Sequence, residues 1–272
     1  MTKAYFIFIV ILFTGISCKN AKEYSPEGLI RLTEEEIITR ARNLDWHAPN
    51  SVLYKDRNGD ILPKDSLRKI TDPQEYIIDI YVDEKGKAKE VIYKKATQKD
   101  KAYQKKLQQA FDEGPEIKDM NIDCSNVQQI LQDVFDNDQQ IRTSNTFDLK
   151  ADHRNLEVVV NLIEKCGMPK YDEIGEIPFW GVIVALQHSR IKYLKKYYPL
   201  LKKEMGIMPM VEDRILMWEG KPQIYGTQIR GGKIYDLFEP EKVNKRRAEA
   251  GLDPIQDYLN RWNITFDVPQ EN

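Results

Sequence analysis

The chain has 272 residues, enough for one large domain or two small ones. Hydrophobic residues make up 41% and charged residues 31%, the proportions of a globular chain rather than a disordered one. Lys and Arg total 41 against 43 Asp and Glu, a formal charge of −2, and mean hydropathy is −0.58. There is no basic excess to drive binding to nucleic acid, and a polytopic membrane protein is excluded.

Lys3 precedes a nearly unbroken apolar run from Ala4 to Ile16, closed by Gly15-Ile16-Ser17-Cys18. The run is shorter than the about 20 residues of a spanning helix and fits the apolar stretch of a signal peptide. Gly15 to Cys18 resembles the lipobox of bacterial lipoproteins, with Gly15 where Leu is commonest. That resemblance implies a signal peptide over 1–17 and acylation of Cys18 by palmitate-type chains. It also implies a membrane partner through the lipid anchor, and location in the bacterial cell envelope at the outer membrane. An ordinary secretory signal is the alternative. Cys124 and Cys166 remain; in an oxidising envelope they can pair, or they serve as separate small core residues. Without a Cys-x-x-Cys, and with scattered histidines, neither a zinc site nor another cofactor is expected.

Residues 18–32 read as a tether. Thr33-Glu34-Glu35-Glu36 has the form of a capping box opening a helix to about Leu44. Asn58-Gly59, between Val52-Leu53-Tyr54 and Ile61-Leu62, signals a hairpin. Asp56, Asn58 and Asp60 superficially resemble a calcium loop, but Ile61 and Leu67 stand where Gly and Glu are required. A second hairpin turns at Gly86, between Glu75–Asp83 and Ala88–Ala96. Asp79, Asp83 and Lys94 suggest that this sheet has one wet face. The first unit is therefore placed at 33–97, and a mostly helical domain at 98–272.

Helical patterns cover 99–113, 125–142 behind Ser125 as N-cap, and 148–166 behind Asp148 as cap. The run Phe179 to Leu186 is apolar all round and is expected to be the central helix. Ile191–Tyr198 follows, with a kink or restart at Pro199, and then Met210–Trp218 up to Gly220. Gln223–Ile229 and Lys233–Phe238 flank Arg230-Gly231-Gly232 as a third hairpin. A polar helix over 241–249 and an amphipathic one with Ile255, Tyr258, Leu259 and Trp262 on its stripe close the chain. The fold class is α+β: an N-terminal antiparallel β-hairpin unit, then a mostly helical domain with an inserted hairpin.

The informative residues are charges on apolar helix faces. Asp138 follows Val134 by four, and Arg142 follows Asp138 by four. Asp152 lies between Leu149 and Leu156, Arg214 between Val211 and Trp218, and His188 four after Val184. Lone buried charges are costly, so these groups should meet or line a polar cavity. Gln187, Arg190 and Asp213 form the expected rim, whereas His47 and His153 have no such context. The cluster fits either a purely structural salt-bridge network or a pocket for a polar or anionic small molecule. No GxSxG, HExxH, P-loop or GxGxxG signature is present. If chemistry occurs, His188 is the candidate base, with Asp138 or Asp152 orienting it. Whether the protein is an enzyme stays open at this level.

The motifs Asp138-Gln139-Gln140-Ile141-Arg142, Gln187-His188, Asp213-Arg214 and Gly220-Lys221-Pro222-Gln223-Ile224-Tyr225-Gly226-Thr227-Gln228 resemble an uncharacterised bacterial family. That family is the one called domain of unknown function 6624. Arg246-Arg247 and Gly251-Leu252 continue the likeness, which covers about 125–260. It implies no activity, but its hallmark polar positions coincide with the inward charges. Read as a strand, Gln223, Tyr225 and Thr227 share one face and Gln228 takes the other. These residues, with Arg142 and Arg214, are the candidate ligand-binding set around the pocket mouth.

Overall fold

The computed structural model describes residues 24–46, 51–63, 66–67, 75–143, 148–230 and 232–271. The expected signal peptide, Cys18 and His47 lie outside them. Among the described residues no helix is long and apolar enough to cross a membrane.

Thr33 forms the expected capping box with Glu36 and opens α1 (Glu34–Arg42). The sheet beneath it contains β1 (Ile30–Arg31), β2 (Leu53–Asp56), β3 (Tyr76–Val82) and β4 (Ala88–Lys95), in the order β1-β3-β4-β2. β3 and β4 form the antiparallel hairpin turned at Gly86, while β2 joins β4 in parallel. The segment read as tether therefore gives a two-residue edge strand, Ile30–Arg31 against Val82 and Tyr81. Asn58-Gly59 does turn the chain, but among the described residues only one bridge, Lys55 to Ile61, follows it. The face expected to be wet is closed at Asp79, which is 4% exposed and held by Arg31 at 2.6 Å and by Lys94.

The helix α2 (Lys101–Glu113) packs Tyr103 and Ala110 into the same core as Ile37, Ile38, Ile80 and Val91. The boundary between the two units thus falls after Glu113 rather than at 97. Gly114-Pro115 is the joint, crossed by Arg190, whose guanidinium donates to the Pro115 carbonyl at 3.0 Å.

The second core belongs to α3 (Val127–Thr143), α4 (Leu149–Cys166), the short α5 (Tyr171–Ile174), α6 (Glu176–Gln187), α7 (Ile191–Met205) and α8 (Pro209–Trp218). Asp148 caps α4 as expected, accepting from the Lys150 and Ala151 amides. At the start of α3 it is Asp123, not Ser125, whose side chain takes the neighbouring amide. Every residue of α6 from Gly181 to Leu186 is buried, so this helix is the hub. α3 crosses it with no room for a side chain at Gly181, where a Cβ would lie 2.2 Å from the Leu131 carbonyl oxygen. Pro199 lies inside one continuous helix rather than restarting it.

The segment between the units is pinned along α4. Glu157 accepts from the Lys118 amide, and Asn161 accepts from the Met120 amide and donates to the Lys118 carbonyl. Cys124 and Cys166 form a disulfide with Cα atoms 5.5 Å apart, closing a 42-residue interval around α3 and α4. A loop of that length lowers the entropy of the unfolded chain by an amount worth about 4 kcal/mol.

Behind α8 the chain makes the short hairpin β5 (Ile229–Arg230) and β6 (Lys233–Ile234), then α9 (Val243–Glu249) and α10 (Ile255–Asn260). Val243, Ile255 and Leu259 seal a small third core. Trp262, expected on the buried stripe, is 59% exposed because α10 ends before it.

Candidate functional site

Three helices deliver four of the predicted residues to one place. Asp138, on the inward face of α3, is 1% exposed. His188 ends α6, with its amide bonded to the Val184 carbonyl, and its Nδ1 lies 2.7 Å from Asp138 Oδ1. Arg142, one turn beyond Asp138, reaches Asp138 Oδ1 at 3.2 Å and Asp152 Oδ1 at 2.5 Å. Asp152 belongs to the first turn of α4, where the helix dipole favours a carboxylate. Gln139 donates to Asp138 Oδ2 at 3.1 Å, so both oxygens of that buried carboxylate are engaged.

Because an ionised carboxylate only accepts, the proton between Asp138 and His188 sits on Nδ1. The other ring nitrogen, Nε2, then carries the lone pair, and it has no partner among the described residues. The imidazole is 28% exposed, against 2% for the Asp138 side chain. An oriented imidazole with its basic nitrogen toward solvent is the arrangement of a general base.

The two acids are driven apart. Burial pushes the Asp138 carboxyl up, but the His188 hydrogen bond and the charges of His188 and Arg142 outweigh it and hold it below its ordinary value. At Asp152 burial wins over Arg142 and His188, with Asp138 adding repulsion, and the carboxyl is raised. The two carboxyls are therefore shifted in opposite directions by their surroundings.

Asp138, Asp152 and His188 each also offer one ligand atom, all within 4.8 Å of one another, close enough to share a cation. The Arg142 guanidinium already bridges the two carboxylates. The positive charge that the pair requires is therefore met by a side chain.

His188 and Asp152 open onto a cleft of about 480 Å³ between the two units. His153, Ser189, Arg190 and Trp218 continue the helical wall; Trp46, Tyr54, Gln108, Phe111 and Asp112 form the wall opposite. Ser189 is no nucleophile for His188, since its hydroxyl donates to the Leu186 carbonyl at 2.6 Å. His153, which lacked context in the sequence, is buried between Glu157, at 3.3 Å from its Nε2, and Arg190, at 3.3 Å from its Nδ1. Its pKa is lowered by burial first and by the Arg190 charge second, against Glu157.

The remaining predicted residues lie elsewhere. Arg214 joins neither carboxylate and has no polar partner among the described residues; burial lowers its pKa. Gln187 donates to the Met210 sulfur, and Gln228 to the Met210 carbonyl. The stretch 223–228 is not a strand, so alternation does not assign its faces. Asp213, fully buried, accepts from the Ile224, Tyr225 and Thr227 amides and from the Thr227 hydroxyl, and it bends the segment around itself. Gln223, also fully buried, bonds the Gln228 backbone and the Tyr235 carbonyl. Arg247 clamps the Tyr225 carbonyl, and Arg246 that of Ile224. None of Gln223, Tyr225, Thr227, Gln228 or Arg214 is among the residues lining the cleft. Trp46, Gln108, Phe111 and Asp112 were missed because they lie in the other unit. Nothing in their local pattern distinguishes them from core or surface residues.

The fold and the site define an α+β protein whose helical domain holds a histidine–carboxylate–arginine network at the edge of a cleft. A protein-family profile, described as a family of unknown function, DUF6624, matches residues 118–268. The chain belongs to that family. Neither the curated proteins nor the solved structures contain a match to the chain.

Proposed function

We propose that this is an envelope-anchored lipoprotein whose helical domain binds a polar small molecule in the cleft and hydrolyses it with His188 as general base. One observation carries the reading: His188 Nδ1 is fixed by the buried Asp138 at 2.7 Å, while Nε2 is left unpartnered at the cleft. In the proposed step Nε2 takes a proton from water and the oxygen adds to the electrophilic centre of the substrate. Asp138 stabilises the imidazolium. The His188 imidazolium then returns that proton to the leaving group, with Asp152, held by Arg142, beside it at the cleft. Arg142 holds the two carboxylates in register, so the step is assigned no metal.

The double contact of Arg142 favours a second reading, a salt-bridge network that only ties α3 to α4. The two are separated by assaying chromogenic ester, phosphate and glycoside substrates on wild-type and His188→Gln proteins. The enzyme reading expects turnover to fall by about 10²–10⁴-fold in a variant that still folds. Full turnover by folded His188→Gln, or none in any class by the wild type, leaves the network as scaffold. Turnover lost to a chelator and restored by zinc or manganese would show a cation in place of Arg142.

Anchoring through Cys18 fits the disulfide, which forms in oxidising compartments. Cys18→Ala is expected to abolish labelling by radioactive palmitate and to release the protein into the soluble envelope fraction. Unchanged labelling would refute the anchor.

A further inference from the structure

The cleft's opposite wall belongs to the N-terminal unit, which the family profile does not cover. We propose that the cleft accepts a saccharide, its ring carbons packed on the indoles of Trp46 and Trp218 and its hydroxyls donating to Asp112 and Asp152. This rests on the cleft beside His188 as the binding site.

Three observations lead there. First, the cleft offers acceptors rather than free cations. Asp112 and Asp152 stand on opposite walls, while the nearby guanidinium groups already bond protein groups. Arg190 is turned to the Pro115 carbonyl and to His153, and Arg142 to its two carboxylates. An anion would meet two acids there; Arg142 and Gln108 each bond one oxygen, Oδ1, of Asp152 and Asp112, and a hydroxyl-rich molecule brings further donors for Oδ2. Second, four aromatic rings, Trp46, Tyr54, Phe111 and Trp218, stand among the aliphatic residues of the lining. Trp46 packs edge-on to Phe111 with centroids 4.8 Å apart, and Trp218 is 47% exposed where it lines the cleft. Indoles are broad apolar surfaces with one polar handle, which suits the CH faces and polar edges of sugar rings. Third, about 480 Å³ lies within the ~300–1,000 Å³ of small-molecule pockets. Gln108 holds Asp112 by a 3.0 Å hydrogen bond, so the N-terminal acceptor is presented in a fixed orientation.

The test is tryptophan fluorescence and calorimetry on the full folded chain, titrated with diacetylchitobiose, maltose and inorganic phosphate. Saturable binding of a disaccharide is expected, weakened at least tenfold by Trp218→Ala and by Asp112→Asn with the thermal midpoint unchanged. Lys95→Ala, on an exposed position of β4, should leave affinity as it is. The proposal is overturned if neither disaccharide saturates, if phosphate alone binds, or if both cleft variants keep full affinity. Turnover that depends on His188 without disaccharide binding would sink the saccharide inference and leave the general base standing. Disaccharide binding without any His188-dependent turnover would do the reverse.

Discussion

Gly181 presses against the carbonyl of Leu131, and each stands seven residues before a member of the histidine–aspartate pair: Gly181 before His188, Leu131 before Asp138. Seven residues are two helical turns, about 10.5 Å of rise. The tight crossing of α3 and α6 therefore sets the spacing of the pair at their ends.

Gly181→Ala tests this coupling. A methyl group 2.2 Å from a backbone oxygen cannot be accommodated by a rotamer change, so the helices must part. A cost of about 1–3 kcal/mol is expected for such overpacking, along with loss of the turnover proposed for His188 beyond what the folded fraction explains. Chemical denaturation and specific activity per folded molecule check it; normal activity in the folded variant would show that the crossing does not govern the pair.

The two acids should respond unequally. Asp138→Ala leaves His188 and Arg142 facing a buried gap, and a loss of about 3–5 kcal/mol is expected. Asp152, whose raised pKa marks a carboxylate that folding disfavours, should tolerate Asn with little loss or a small gain at neutral pH. In a cycle with Arg142→Ala, the double change with Asp138→Ala should cost less than the sum of the singles. Additive effects below 1 kcal/mol would indicate solvated, independent charges.

His153 predicts an acid sensitivity above the carboxylate range. Its folded pKa lies below the ordinary 6.5 through burial and the Arg190 charge. Below pH 6.5 the unfolded chain takes up a proton that the native imidazole refuses. The contribution of His153 is thus intact above that pH and lost as pH falls toward the folded value. Asp138, with its lowered pKa, adds a second loss only below its ordinary 3.8. Urea midpoints at pH 8 and pH 5.5 should differ more for wild type than for His153→Gln. Equal differences would assign the sensitivity to other groups.

Asp213 should matter more than any side chain of the loop it holds. Asn in its place presents an amide to donors now shared by two carboxylate oxygens. At least about 3 kcal/mol of destabilisation is expected from the unsatisfied buried groups. Hydrogen exchange should reveal early loss of protection at Ile224, Tyr225 and Thr227. Wild-type protection there would mean that Arg246 and Arg247 suffice.

Helical periodicity made Asp138, Arg142, Asp152 and His188 legible, because four inward charges on three packed helices have few places to go but one another. The same argument failed for Arg214: a period reports the face of a helix, not the distance to a partner. The Gln-Ile-Tyr-Gly-Thr-Gln stretch read as a strand because its residue types suit one. A single carboxylate from α8 rewrote its geometry, and no local pattern announces that contact. The cleft was invisible for a different reason. Asp112 and Asp152 come from separate cores, and only the joint at Gly114-Pro115, held by Arg190, brings their walls together.

The Cys124–Cys166 bond spans the entrance to α3 and the exit of α4, the helices that carry Asp138 and Asp152. Their alignment thus depends on a covalent step that a reducing compartment opposes. With both thiols reduced, the two acids ride on helices joined by their shared core and by side-chain contacts such as those of Arg142. With the bond formed, the far ends of the same two helices are clasped covalently as well. The redox state of one cysteine pair thus sets how much freedom the distance between two carboxylates retains.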